Sequence, residues 1–362
     1  MTIEDSGHSH LAKIVWERVI YRRRRLYAVA GLFLLLWLAI GLASSLGSAQ
    51  VSPVMVWQVL LSLLPGLNLS SNIPDTVVTI VLDIRLPRIL LAGLVGAALA
   101  TAGATYQGLF RNPLADPYLL GIAQGAGLGA TIAFLLPFSL AATALGLIPV
   151  LAFAGAILSA GIVYAVARVG KTVPMTTLIL AGVALGAFLA SITSYLLVSS
   201  GEQLHSIVLW LMGGLSLSHW GEVKILLPYI LVGSLIIHLY SRPLNIMQLD
   251  EEQAQQLGVN VERVKLILLF AATLITAAAV CFVGIIGFVG IIVPHAIRLI
   301  WGADHHFLLP LSFLGGASFL ILADMLARTV MGTAEVPVGI ITAFCGAPFF
   351  IYLLRKRKRV IF

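Results

Sequence analysis

The sequence predicts an all-α polytopic membrane protein with ten transmembrane helices, and three observations carry that prediction. Of the 362 residues, 60% are hydrophobic, and 22 basic plus 15 acidic side chains are all the formal charge there is. That is about one charged residue in ten, where soluble domains hold about one in four. Charge-free stretches run over 26–74, 89–110, 117–167, 172–201, 225–241, 266–297, 305–323 and 336–354, and a helix needs about 20 largely apolar residues to cross a bilayer. Lys and Arg, finally, are distributed very unevenly between the connections. A closed β-barrel would instead show short alternating segments.

Taken in order, the first apolar run gives a span over 26–46, followed by a Pro/Ser/Asn-rich stretch with Pro53, Pro65 and Pro74. The second span covers 89–108. The stretch 117–167 has room for two helices around the break at Pro137, Ser139, Gly146 and Pro149, giving spans 119–137 and 148–168. Spans 174–198 and 223–240 follow. The stretch 266–297 is punctuated by Gly284, Gly287, Gly290 and Pro294, and reads as a helix over 264–284, a turn, and a shorter helix over 286–301. The last two spans are 308–327 and 336–354. The organisation is thus a basic N-terminal segment 1–25, a helical body 26–354 with a polar connector 241–265, and a basic tail 355–362.

An even count of spans puts both termini on one side. Eighteen of the 22 Lys and Arg residues then fall on that side, leaving Arg85, Arg88, Lys224 and Arg328 opposite. Such asymmetry places the termini in the cytoplasm. It also accounts for the net charge of +7 without a nucleic-acid partner. The composition excludes a cytosolic enzyme, a disordered regulator and a secreted disulfide scaffold. Cys281 and Cys345 both lie in apolar segments and form no metal-binding spacing. The basic start and Ser48-Ala49-Gln50 imitate a signal peptide, but the apolar run is too long for a signal core and reads as the first span.

Several motifs imitate chemistry. Gly170-Lys171-Thr172 ends like a phosphate-binding loop, yet Ala165 stands where that loop needs glycine, and no strand precedes it. Eight histidines are present: His8 and His10 in the N-terminal segment, His205 and His219 outside, His238 in a span, His295 after Pro294, and His305 with His306 in a turn. None forms an HExxH or a carboxylate–histidine cluster on one helix face. Gly121, Gly125 and Gly129, with Gly182 and Gly186, are spaced four apart, which lets helix backbones pack closely.

Two sets of charges call for a function. Arg85-Leu86-Pro87-Arg88 lies outside at the start of the second span, with Pro87 suited to a first helical turn, and Arg328 ends the ninth span on the same side. An ionisable residue at a membrane edge is costly. These three arginines suit either an acidic docking partner or internal pairing with Asp83, Asp324 or Glu335. The connector carries Leu249, Asp250, Glu251, Ala254 and Leu257 on a short helix closed by Gly258. A second short amphipathic piece, from Val261 to Lys265, precedes the next span. The connector is more structured than a simple turn requires and could seat a cytoplasmic motor.

Beyond these readings, the chain resembles the FecCD family of permeases. The resemblance rests on Arg85-Leu86-Pro87-Arg88, Gly96-Ala97-Ala98-Leu99-Ala100, Arg111-Asn112-Pro113-Leu114-Ala115-Asp116-Pro117 and Trp210-Leu211-Met212-Gly213-Gly214. It continues through Ser241-Arg242-Pro243-Leu244-Asn245, Gln256-Leu257-Gly258, Gly287-Phe288-Val289-Gly290 with Val293-Pro294-His295, Ala323-Asp324 with Ala327-Arg328, and Glu335-Val336-Pro337. These motifs run in family order over about 81–354, while the first 25 residues carry none.

The resemblance implies a fold like that of cobalamin-importer permeases, in the bacterial inner membrane, within an ATP-driven importer of ferric siderophore, haem or cobalamin. It implies a homodimer, two cytoplasmic ATPase subunits that use the ATP, and an external substrate-binding protein docked on Arg85, Arg88 and Arg328. No cofactor would be bound by this chain. ATPase coupling would fall to Leu249, Asp250, Glu251, Ala254, Leu257, Gly258 and Val261. The pathway or its gate would involve Gly182, Ser191 and Ser194 on the fifth span and Trp210, Met212 and Gly213 beyond it. The rival readings are a zinc or manganese ABC permease, and an ion-coupled secondary transporter. The latter would favour paired acidic residues within spans, of which only Asp324 comes near.

Overall fold

The computed structural model describes residues 25–47, 51–62, 73–136, 146–216, 218–331 and 334–358. The N-terminal segment 1–24, the residues Ser48-Ala49-Gln50, Pro65, the break at Pro137 and Ser139, and the end of the tail lie outside them. Among the described residues the chain is helical, with a lone β-bridge between Val169 and Thr172.

Helix α1 covers Arg25–Ser45 and α2 Pro53–Ser62. Helix α3 (Asp75–Thr79) runs through a π-turn (Ile80–Arg85) into α4 (Leu86–Leu109). Then come α5 (Ile122–Leu135), α6 (Leu147–Ala167), α7 (Met175–Val198), α8 (Leu204–Leu211) and α9 (Trp220–Leu239). The connector holds α10 (Ser241–Ile246) and α11 (Glu251–Gln256). The chain closes with α12 (Val261–Val283), α13 (Val289–Trp301), α14 (His305–Thr329) and α15 (Val338–Lys358). Each of the ten predicted spans falls on a helix. Among the described residues, six helices are long and apolar enough to cross a membrane: α1, α6, α7, α9, α12 and α14.

Two boundaries differ from the sequence reading. Pro87 does not open a helix but lies inside one that starts at Asp75. Proline cannot donate to the preceding turn, and here the turn before it is widened, with the Leu86 N–H reaching Val81 O, so the chain passes the proline without breaking. Val261 to Lys265 is likewise no separate piece. Asn260 accepts from the Arg263 N–H and caps α12, which runs on from Val261.

Helices α4 and α12 form the centre of the bundle and are buried along most of their length. Their small residues make this possible. A Cβ at Gly96 would stand 2.2 Å from the Gly316 carbonyl of α14, and one at Gly103 only 1.9 Å from the Gly290 carbonyl of α13. The same close approach joins α5 to α6, where a Cβ at Gly125 would fall 2.3 Å from Gly155 O, so the four-residue glycine spacing serves helix packing. Across the core, Tyr106 Oη and Thr273 Oγ1 lie 2.9 Å apart and satisfy each other. Around this centre α1, α7 and α9 turn large apolar side chains outward, among them Phe33, Trp37, Leu180, Phe188 and Leu235.

Candidate functional site

Charged side chains gather at the two ends of α4, which at 24 residues is about 36 Å long. At its N-terminal end lie Arg85, Arg88 and Arg328. Arg85 Nη1 donates to Ser44 O and, at 3.2 Å, to Ser45 O. Arg328 Nη2 donates to Ala43 O at 3.2 Å and Nη1 to Leu46 O at 3.5 Å. Two guanidiniums therefore occupy the last carbonyls of α1, which otherwise lack donors and carry the negative end of the helix dipole. Asp324, 1% exposed, pairs with Arg88 Nη2 at 2.8 Å and with Arg328 Nε at 3.1 Å. Arg88 Nη1 goes on to Glu335 at 2.9 Å, and Glu335 also accepts from Ser216 Oγ at 2.7 Å.

Of the two readings that the sequence left open for these arginines, internal pairing is present within the chain. All three arginines are buried, because each meets a carboxylate or a helix end inside the chain. Of the internal partners predicted, Asp324 and Glu335 are used, and Asp83 is in none of the ion pairs among the described residues. Glu335, half-exposed, forms the lip of the cluster. Its carboxyl is opposed by partial burial but held below the usual glutamate range by hydrogen bonds from Arg88 and Ser216.

Ser216 brings in the segment predicted to gate a pathway. Gly214 N donates to Val283 O at 2.8 Å. Gly213 adopts φ +73°, and a Cβ there would stand 2.5 Å from Ile285 O. Trp210 O presses on Gly284 and Met212 O on Gly339, so this segment is fixed between the end of α12 and the start of α15. At Gly182 α7 packs tightly on the α4–α5 loop: a Cβ there would stand 1.9 Å from Leu119 O. Ser191 and Ser194 are exposed on α7, each hydroxyl donating at 2.9 Å to the carbonyl four residues back.

At the other end of α4 lies the connector. Leu249, Asp250, Leu257 and Gly258 are exposed and Glu251 is half-buried, whereas Ala254 and Val261 are buried. Those two therefore anchor the connector and present nothing outward, which narrows the expected contact face. Gly258, at φ +83°, ends α11. Arg111 Nη1 reaches Leu249 O at 3.2 Å and Asp250 Oδ1 at 3.3 Å. Asn245 and Arg25 both donate to Asp304, which caps α14 by accepting from the His306 N–H. Partial burial works against ionised Asp304, but hydrogen bonds from Asn245 and Arg25 outweigh it and hold the carboxyl below the usual range. In the α4–α5 loop, burial pushes Asp116 up to about 6, against a hydrogen bond from the Tyr118 N–H.

Sequence reasoning passed over Lys265 and Ser216. Lys265 stands there only as a basic residue ending the piece that begins at Val261, yet its ammonium is buried between Glu251 at 2.8 Å and Glu262 at 2.9 Å. The Glu262–Lys265 spacing is a helical one and could have flagged it. Nothing in the sequence marks Ser216.

An all-helical bundle with apolar flanks, glycine-packed helix crossings and charge drawn to two ends defines a multi-pass membrane protein. The FecCD transport family model matches residues 34–356, and the chain belongs to that family. It is 49% identical to the cobalamin import system permease protein BtuC of Halobacterium salinarum over 290 residues, 80% of this chain and 77% of that one. It is 42% identical to the hemin transport system permease protein HmuU of Yersinia pestis over 329 residues, 90% of this chain and 94% of that one. Among solved structures, an inward-facing conformation of a metal-chelate type ABC transporter matches with TM-score 0.79 and 33% identity, covering 91% of this chain and 98% of its own.

Proposed function

We propose that this chain is the permease subunit of an ATP-binding-cassette importer that carries a metal chelate, a ferric siderophore, haem or cobalamin, into the cytoplasm. The observation that carries the reading is the placement of two partner-ready ends on one buried helix: the arginine cluster where α4 begins and the connector where it stops. Two copies would form a homodimer around the pathway. The apolar α7 supports this, since only Leu178, Gly182, Gly186 and Thr193 of it are buried within one chain and Ser191 and Ser194 lie on its open face. The charge asymmetry supports ten crossings with cytoplasmic termini, and the family supports an inner-membrane location.

In this scheme Leu249, Asp250, Glu251, Leu257 and Gly258 meet an ATPase subunit, with Ala254 and Val261 anchoring them. Trp210, Met212 and Gly213 gate the pathway. An external binding protein docks at Arg85, Arg88 and Arg328, and its carboxylate reaches Arg88 by exchanging with Glu335. ATP binding then shifts the balance between two states of the pathway.

Proteoliposomes holding this chain, its ATPase and its binding protein test the proposal, with the binding protein loaded in turn with cobalamin, haem or a ferric siderophore. The expected result is ATP hydrolysis stimulated by one ligand together with uptake of that ligand. Uptake that ignores ATP and collapses with an ion gradient would make the chain a secondary transporter.

A further inference from the structure

A lysine in the first turn of an apolar helix ordinarily stretches toward water or lipid headgroups. Lys265 does the opposite. Its side chain is 3% exposed, and its α12 neighbours Val261, Val264 and Leu268 are buried as well. The two carboxylates that hold it come from different places. Glu262 belongs to α12 itself, three residues back, and Glu251 is the first residue of α11. Glu262 then uses its other oxygen, Oε2, to accept the Val173 N–H at 3.1 Å. Val173 is buried in the turn 168–174 that joins α6 to α7. Lys265 and Glu262 together therefore link three elements: the connector, the head of α12 and the entrance to α7.

Around this joint the structure is open. A cleft of ≈ 460 Å³ lies beside it, lined by Arg111, Thr172, Met175, Thr176, Glu251 and Lys265. Beside this cleft, Lys265 holds Glu251 of the connector, and Glu262 holds both Lys265 and the Val173 N–H of the α6–α7 turn. A local helix pair would need only Glu262, and a surface anchor would not be buried.

We propose that Lys265 is a positioning residue that carries displacement of the connector into α7. This rests on the reading of the chain as an ABC permease, in which the connector is where the ATPase pushes. The physical basis is that parting a buried ammonium from a carboxylate strands an uncompensated charge. When α11 shifts, the cheaper response is for Lys265, Glu262 and the turn 168–174 to move with it.

The test uses Lys265→Met, with Lys265→Arg as the conservative variant and Glu251→Gln as a milder break on the half-exposed side. In the purified chain, hydrogen exchange should rise on the order of tenfold in Lys265→Met, together at the Val173 amide and across Glu251–Gln256, while α4 and α9 keep their protection. In the full complex, uptake per ATP hydrolysed should fall on the order of tenfold, with the fold and ATPase binding intact. Lys265→Arg should restore both readouts, and Glu251→Gln should lower uptake per ATP in the same direction. Exchange that rises in one segment alone, or in neither, overturns the joint. So does a parallel fall of hydrolysis and uptake at constant ratio, which would make Lys265 a stabilising residue only. A wild-type complex without ATP-driven uptake would overturn the ABC reading, and the exchange data on the chain alone would still decide whether the joint exists.

Discussion

Replacing Asp324 by asparagine removes one negative charge from the centre of the arginine cluster while keeping the side chain's volume. Asp324 is 1% exposed and is shared by Arg88 and Arg328, themselves buried. Breaking a buried pair by removing one partner costs about 3–5 kcal/mol, most of it from the stranded charge. Here Arg88 keeps Glu335 and Arg328 keeps the α1 carbonyls, which favours the lower part of that range. An unfolding entropy of about 2.1 cal/mol/K per residue over 362 residues gives roughly 0.76 kcal/mol/K. A loss of about 3 kcal/mol then lowers Tm by about 4 °C, and by more where helices persist in the detergent-unfolded state. The assay is thermal unfolding of the purified chain in a Cys345→Ala background, which removes the exposed thiol, followed by a thiol-reactive dye on Cys281, which is buried in the folded state. Adding Arg328→Met to Asp324→Asn should recover part of the loss, because the second change removes a charge that the first left without its carboxylate. A single variant within 1 °C of wild type, or a double variant showing the full sum of both losses, would refute this account of the cluster.

Neutralising the lip of the cluster with Glu335→Gln should tighten docking of the binding protein, because an incoming carboxylate no longer displaces a charged one from Arg88. The expected gain is about tenfold in Kd, or about 1.4 kcal/mol, read by surface plasmon resonance, and unchanged or weaker docking would refute the exchange. Asp116 should make its own mark on the pH dependence of stability. Its folded value of about 6 lies above its ordinary one, so the folded state takes up a proton before the unfolded state does, and stability gains from this residue as pH falls from 7 toward 4. Asp116→Asn should erase that gain in a comparison of Tm across this range. Glu335 works in the other direction: its value is depressed, so its contribution is present above the ordinary glutamate pKa and is lost as pH falls through the folded value. Gly96→Ala, whose Cβ would meet Gly316 O at 2.2 Å, should cost about 1–3 kcal/mol or more. Gly161→Ala, with nothing within 4 Å, should be neutral or stabilise by up to about 1 kcal/mol, and equal effects at the two sites would refute the packing argument.

What the sequence made legible follows from the physics of the bilayer. An apolar run long enough to cross and a skewed charge distribution are written along the chain, so every span found its helix and both charged ends were named in advance. What stayed hidden depends on which side of a helix faces which neighbour. Arg85, Arg88 and Arg328 look alike to a reading along the chain whether they face a partner or an interior. Only the fold brings the last turn of α1 and the carboxylate of Asp324 within their reach. Gly182 shows the same ambiguity, since a small residue serves a pathway wall and a tight crossing equally well.

The two hidden features also bear on mechanism together. At one end Glu335 ties the docking cluster to Ser216 and so to the segment around Gly213. At the other, Lys265 ties the connector to the turn that leads into α7. Each is a buried or half-buried ion pair that costs more to break than to carry along. Each lies between a face offered to a partner and an element assigned to the pathway. An event at either face can therefore bias the pathway without a continuous rigid rod through the bundle. The glycine-packed middle of α4 then serves as the fixed frame against which both ends move. The arrangement makes the two ends separable by mutation. Glu335→Gln should alter docking while leaving uptake per ATP unchanged, and Lys265→Met should do the reverse. A variant at either joint that altered both readouts alike would mean that the core moves as one body with its ends.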